Sequence, residues 1–285
     1  MAALSTWARS VPRRWRVVPA IAGAIAGAYV LWVHVTSDPL ADIHLYYDAA
    51  SRLNAGLPLY RTGVVDPYVY PPLFAMLFRP LALLPFRAAA VAWEGAVLAS
   101  FALTLWRLDL RRPLTWYAVG LLGMAIAWAL VVGQAEVIVS LLLTLGNPLA
   151  VAVAGNIKLF PFLVGFYWVG RRDSRGLGRL IGWSAALGLV QLVADPADTQ
   201  DYANAIATGV RQVSLPGNIS PFMLSPLLWG ALVALGVVAT LRLGRTRWGW
   251  SAAVALSVLA SPRLFIYMLT TLLACLKRPD DASSN

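Results

Sequence analysis

Long apolar runs separated by short polar breaks dominate the chain. A run of about 20 mostly apolar residues can cross a bilayer as a helix. Such runs lie at 17–35, 88–106, 114–132, 149–169 and 222–241, with a shorter one at 180–193. A last stretch, 248–276, is interrupted at Ser261-Pro262-Arg263. Two further runs are short. One opens at Tyr70-Pro71-Pro72 and ends at Pro85, and reads as a tilted or re-entrant helix. The other follows Gly133-Gln134 and ends at Leu145. The pattern predicts an all-α, polytopic integral membrane protein with about eight or nine membrane segments. Residues 1–285 form a single membrane domain, with polar loops at 36–70 and 195–221.

The first polar loop carries its own helix signal. Asp38 is a good N-cap and Pro39 a good first helical residue, while Gly56 suits a C-terminal stop. Leu45, Ala49 and Leu53 recur at helical spacing, with Tyr46 beside them, as in a helix lying on a bilayer surface. Gly23 and Gly27 in the first span form a small-residue packing pattern.

Charge then orients the elements. Of 285 residues 13% are charged, about half the share of a soluble domain. The net charge of +10 sits in short arginine clusters between apolar runs. The positive-inside rule explains them without nucleic acid. Arg9, Arg13, Arg14 and Arg16 place the N-terminus in the cytoplasm ahead of an uncleaved first helix. Arg171, Arg172, Arg175 and Arg179 mark a second cytoplasmic loop, and Arg242, Arg245 and Arg247 a third. The loops at 36–70 and 195–221 are then external, and four of the thirteen acidic residues, Asp38, Asp42, Asp48 and Asp66, fall in the first. The single cysteine, Cys275, excludes an internal disulfide and any Cys-based zinc site.

Several residues are candidates for chemistry. Asp42 sits where a carboxylate can take a proton from an acceptor hydroxyl, although its position alone fits better with favourable charge near a helix N-terminus. Asp48 and His44 lie nearby, each with a solvated-surface reading beside the catalytic one. Arg79, Glu94, Glu136 and Lys158 fall in or near apolar runs, where charge is costly and often functional. Glu94 has Arg79 or Arg87 as a possible structural partner. Lys158 suits a lipid phosphate or a snorkelling position. Arg263 breaks a helix, and such breaks tend to line cavities; it serves as an anion clamp or as half of an ion pair. Asp195, Asp198 and Asp201 read as solvated carboxylates with some capacity for a divalent cation, and no resident metal or other cofactor is expected. Phosphate-binding Gly-rich loops, dinucleotide fingerprints, paired-His zinc motifs and nucleophile elbows are missing from the sequence.

A series of short motifs resembles glycosyltransferase family 87. Asp42-Ile43-His44-Leu45-Tyr46, then Leu53-Asn54-Ala55-Gly56-Leu57-Pro58-Leu59-Tyr60, then Tyr70-Pro71-Pro72-Leu73 are similar to its first external loop. Gly133-Gln134, Lys158-Leu159-Phe160-Pro161, Gly217-Asn218-Ile219-Ser220, and Ser261-Pro262 with Tyr267 follow in the family's order. Glu136 stands where the family often has Asn, and little sequence follows Cys275. The resemblance implies a GT-C-like enzyme of the bacterial plasma membrane with its active site on the external face. It implies a polyprenyl-phosphate sugar donor, mannose first among the sugars, and a glycolipid or glycan acceptor. It assigns Asp42 to the general-base position. Lys158 and Arg263 are candidates for the donor phosphate on their charge, and His44, Tyr46, Asp48, Tyr60, Tyr70, Gln134 and Asn218 for the lining of the substrate site. The competing readings are a lipid-linked-sugar flippase or transporter and a non-catalytic membrane subunit.

Overall fold

The structure is a computed structural model that describes residues 17–37, 39–61, 68–211 and 217–277. Asp38 and Asp66 lie outside the described residues. Among those described the chain is helical, with no strand. Four helices are long and apolar enough to cross a membrane: α1 (Val18–Ser37), α4 (Phe86–Arg107), α10 (Ser174–Ala194) and α12 (Pro226–Leu243). Their outer faces carry Ile25, Trp32, Val91, Val193 and Leu227 exposed, as a lipid environment requires. The 114–132 run is two helices, α5 (Pro113–Leu121) and α6 (Gly123–Val131), bent by 68°. They count as a fifth span if taken as one.

The kink has a packing context. A Cβ on Gly23 or Gly27 of α1 would collide with the backbone at Gly120 or Gly123. The predicted small-residue seam therefore exists, and it presses α1 against both sides of the bend.

The remaining apolar runs form short helices packed inside the four long ones. These are α7 (Glu136–Leu145), α8 (Pro148–Ile157), α13 (Gly249–Leu259) and a 3₁₀ segment, Ile266–Leu276. The predicted single span 149–169 is broken. After α8 the chain is extended at Lys158, passes through a 3₁₀ turn, Phe160–Val164, and resumes as α9 (Gly165–Arg171). Phe162 folds back onto α8 at Gly155, where a Cβ would meet its ring at 2.5 Å. Ten residues of helix rise only about 15 Å, half the hydrocarbon thickness. The short helices therefore leave room for a cavity above them.

Two amphipathic helices lie at one end of the bundle. The first, α2 (Ala41–Asn54), starts later than Asp38-Pro39 suggests. Its N-cap is Leu40, left-handed at φ 65°, and no side chain caps it. The N–H groups of Leu40 and Asp42 donate instead to the carbonyls of Val131 and Val132 at 3.0 and 3.2 Å. The orphan donors of one helix start thus satisfy the orphan acceptors at the end of α6. The far end follows the sequence: Gly56, φ +67°, closes a Schellman turn in which Gly56 N–H donates to Leu53 and Leu57 N–H to Arg52. The second, α11 (Pro196–Arg211), is tied down where Leu59 N–H donates to Asp198 at 2.9 Å. Between them α3 (Pro72–Phe78) opens at the Pro-Pro pair and stays short, as expected.

The opposite end gathers the arginines at the ends of α4, α9 and α12. Leu108, Ile126 and Leu273 cluster there, Lys277 reaches the carbonyl of Leu145, and Trp250 packs on Tyr167 and Trp168. Gly170 and Gly244 are in backbone contact. These contacts bring the helix ends bearing Arg107, Arg171 and Arg242 to the same end of the bundle.

Candidate active site

Five chain segments converge on a cavity of about 410 Å³ at the end away from the arginine clusters. Its walls include Asp42 and Leu45 of α2, Tyr70 and Pro71 before α3, Glu136 of α7, Lys158 to Pro161 after α8, Ser261 to Arg263 after α13, and Phe265 and Tyr267 at the start of the last 3₁₀ segment. Asp42, Lys158 and Arg263, three residues far apart in sequence, line this one space.

Asp42 is held from behind. Gly133, φ +70°, turns the chain between α6 and α7, and a Cβ there would strike Ile43. The glycine thus provides the backbone angle and admits α2 close to the turn. Trp93 of α4 donates its indole N–H to the Gly133 carbonyl at 2.8 Å. Trp93 stands about two turns into α4, so the site lies roughly 10 Å below that helix's start. From this turn Gln134 donates to Asp42 Oδ2 at 3.0 Å and accepts from Tyr46 and Tyr70 at 2.7 and 3.2 Å. Burial raises both tyrosine hydroxyls above their ordinary range, so they remain protonated donors.

Lys158 is not a bare cation. Its Nζ lies 2.6 Å from Glu136 Oε2, and the Thr271 hydroxyl donates to the other carboxylate oxygen. The ammonium also sits over the rings of Tyr70 and Tyr267, 5.5 and 5.1 Å from their centroids. Glu136 is buried, which is tolerable for a carboxylate with such partners.

Arg263 is placed by its backbone. Where α13 ends, Asn218 donates to the Pro262 carbonyl at 3.0 Å and accepts from Leu264 N–H at 2.9 Å. Ser220 donates to the Ser261 carbonyl at 2.9 Å, and Ile219 N–H to Leu264 at 2.8 Å. The loop Gly217-Asn218-Ile219-Ser220 thus satisfies the backbone groups that the helix break sets free. One guanidinium nitrogen of Arg263, Nη1, is buried with no protein hydrogen-bond partner.

The other sequence candidates fall elsewhere. His44 and Asp48 are exposed, and His44 stacks on Phe86 at 3.9 Å; neither lines the cavity. Tyr46, Gln134 and Asn218 stand behind the wall as supports. Tyr60 also backs it, donating to the Tyr70 carbonyl at 2.7 Å and stacking on Tyr202, which does line the cavity. Glu94 does not pair with Arg79: that guanidinium donates to Asn54 at 2.8 Å, and the Lys158–Glu136 contact is the salt bridge found among the described residues. Glu136 is the residue that sequence reasoning left out of the site. Its signal was a buried-position carboxylate 22 residues before a lone lysine, too far apart for any helical spacing rule to connect them. Among the described residues no group of three metal-ligating side chains forms, and Asp195 and Asp198 face each other through an ordinary turn, Asp198 N–H donating to Asp195.

Comparison with known proteins gives the chain its relatives. The chain is 25% identical over 275 residues to a polyprenol-phosphate-mannose-dependent alpha-(1-2)-phosphatidylinositol pentamannoside mannosyltransferase of Mycolicibacterium smegmatis, covering 83% of this chain and 66% of that one. The Mycobacterium tuberculosis protein of the same description is 25% identical over 268 residues, 78% of this chain and 60% of that one. A second protein of that species, a polyprenol-phosphate-mannose-dependent alpha-(1-2)-phosphatidylinositol mannoside mannosyltransferase, is 29% identical over 231 residues, 66% of this chain and 53% of that one. The chain thus spans just under two thirds, or less, of the length of these relatives. No solved structure matches it. Residues 68–276, which hold every wall of the cavity except the α2 side, match the description of a single family throughout, and the chain belongs to glycosyltransferase family 87.

Proposed function

We propose that this protein transfers mannose from a polyprenyl-phosphate donor to an envelope glycolipid or glycan, with Asp42 as general base. The observation that carries the reading is the shared cavity, which gathers Asp42, Arg263 and the Lys158–Glu136 pair at the end of the bundle away from the arginine clusters. Its volume lies in the range of small-molecule sites. Three relatives described as polyprenol-phosphate-mannose-dependent mannosyltransferases support the donor. They also favour a phosphatidylinositol mannoside as acceptor.

In this reading the acceptor hydroxyl attacks the anomeric carbon as the bond to the polyprenyl phosphate breaks. Asp42 takes the hydroxyl proton, and the leaving phosphate keeps the bonding electrons. Arg263 is the main anion anchor, because its Nη1 has no protein partner and its fork matches phosphate oxygens. Lys158 is a weaker anchor, since Glu136 already offsets its charge. Glu136 is tied to Lys158 and Thr271, so no second carboxylate stands ready as a nucleophile. A direct displacement with inversion at the anomeric carbon follows.

The arginine-bearing end is cytoplasmic in this reading and the cavity end external, in the plasma membrane of a bacterium. The purified protein, offered radiolabelled polyprenyl-phosphate mannose, glucose and arabinofuranose with a phosphatidylinositol mannoside, should transfer mannose by a wide margin. Transfer of none of the three would remove the reading.

A further inference from the structure

Gln134 joins Asp42 to the tyrosines behind it. A carboxylate only accepts hydrogen bonds, so the Gln134 NH₂ must face Asp42 and its oxygen must face Tyr46 and Tyr70. Tyr46 is pinned in turn, accepting from Ala135 N–H at 3.4 Å and lying 3.2 Å from the Tyr70 hydroxyl. Gln134 is fully buried and stands outside the cavity wall, so it has no direct route to a substrate. Its backbone is fixed as well: Gln134 N–H donates to Ala129 at 2.8 Å, next to the turn at Gly133.

We infer that Gln134 is a positioning residue for Asp42, turning the carboxylate toward the cavity and holding it in its ionised form through a donated hydrogen bond. The inference rests on the reading of Asp42 as the base. A hydrogen bond to the charged form favours that form, so its loss should make Asp42 easier to protonate. Other groups with electrostatic influence on Asp42 are Tyr46 on its own helix, Tyr70, Lys158 at the end of α8 and Tyr267 on the last 3₁₀ segment. Glu136 and Arg263 share its cavity. Tyr46 and Tyr70 lose their acceptor in Gln134→Met and keep it in Gln134→Glu, so the two variants together separate the donated bond from the tyrosine contacts.

The test is the pH profile of kcat/KM for the full chain, with polyprenyl-phosphate mannose as donor and a phosphatidylinositol mannoside as acceptor. Gln134→Met keeps the length and removes the donor. It should lower kcat about tenfold or more and move the acid limb to higher pH by about one unit, with the donor KM little changed. Gln134→Glu keeps the acceptor for both tyrosines and sets a second carboxylate against Asp42. The two then share a proton, and the acid limb should move further than in the Met variant. The Glu variant, nearly identical in shape, carries the test if the Met variant fails to fold. A fall in kcat with the acid limb unmoved in the folded variants would reduce Gln134 to a structural part and overturn the proposal. So would unchanged kinetics. Asp42→Asn, measured alongside, separates the two ideas: full turnover by that variant overturns the base reading itself, whatever Gln134 does.

Discussion

At the scale of single residues, direction on a helix decides who reaches the site. Successive residues turn by about 100°, so Tyr46 lies about 40° from Asp42, while His44 and Asp48 lie about 160° and 120° away. The spacing alone therefore separates Asp42 and Tyr46 from His44 and Asp48, and the structure follows it: Tyr46 is buried, the other two exposed. Grouping His44 and Asp48 with Tyr46 as substrate-lining ignored a signal that the sequence carried. Glu136 and Lys158 are the opposite case, since their contact depends on how α7 and α8 pack and no local rule pairs them. That contact ranks the two cations. Arg263→Ala should raise the donor KM by tenfold or more, and Arg263→Lys should recover only part of it, because the planar fork is lost. Lys158→Ala should have a different signature, a loss of stability, because it leaves Glu136 buried and uncompensated. Donor titrations and thermal melts of the three variants distinguish these outcomes.

At the scale of elements, ends set by local chemistry were legible and ends set by neighbours were not. Gly56 stops α2 by a turn that any sequence with glycine there can make. The start of α2 moved from Pro39 to Ala41 because its first N–H groups bind carbonyls of α6, a partner 90 residues on. Lys158 and Pro161 sit inside the apolar run 149–169 and break it; the 114–132 run bends with no proline inside, at glycines that α1 approaches closely. One of the contacts that hold the surface helix α11 is titratable. Burial pushes the Asp198 carboxyl up from 3.8 to about 6, with Asp195 adding to it and the Leu59 N–H opposing. The folded chain therefore holds this proton more tightly than the unfolded chain does. The resulting stabilisation is complete below the ordinary value and is lost as pH rises through about 6. Hydrogen exchange in α11 should accordingly be slower at pH 5 than at pH 7.5, after correction for the intrinsic rate. Asp198→Asn, which stays neutral and can still accept from Leu59, should remove that difference.

At the scale of the whole molecule, helix class and the polarity of the bundle were both readable from the chain. Apolar runs gave the helices, and arginine clusters gave their common end. Among the described residues four helices, or five with the bent pair, have the length to span, and four shorter apolar helical segments accompany them. The eight or nine membrane segments read from the sequence include such short runs, and length alone does not fix how many of them cross. The short helices α7, α8 and α13 carry many residues buried in protein. The polarity makes a topological prediction. In a Cys275→Ser background, a cysteine at position 48 should react with an impermeant maleimide added outside intact cells, and one at position 172 only after lysis. The reverse pattern would put the cavity on the cytoplasmic face.

The central claim is that Asp42 performs the proton transfer, and one substitution isolates it. Asp42→Asn keeps the shape of the side chain and an acceptor oxygen for Gln134 while removing the basicity. In protein shown to be folded and to bind polyprenyl-phosphate mannose as the wild type does, single-turnover transfer should fall by about a hundred- to ten-thousand-fold. Transfer at a near-normal rate in that same protein would contradict the account.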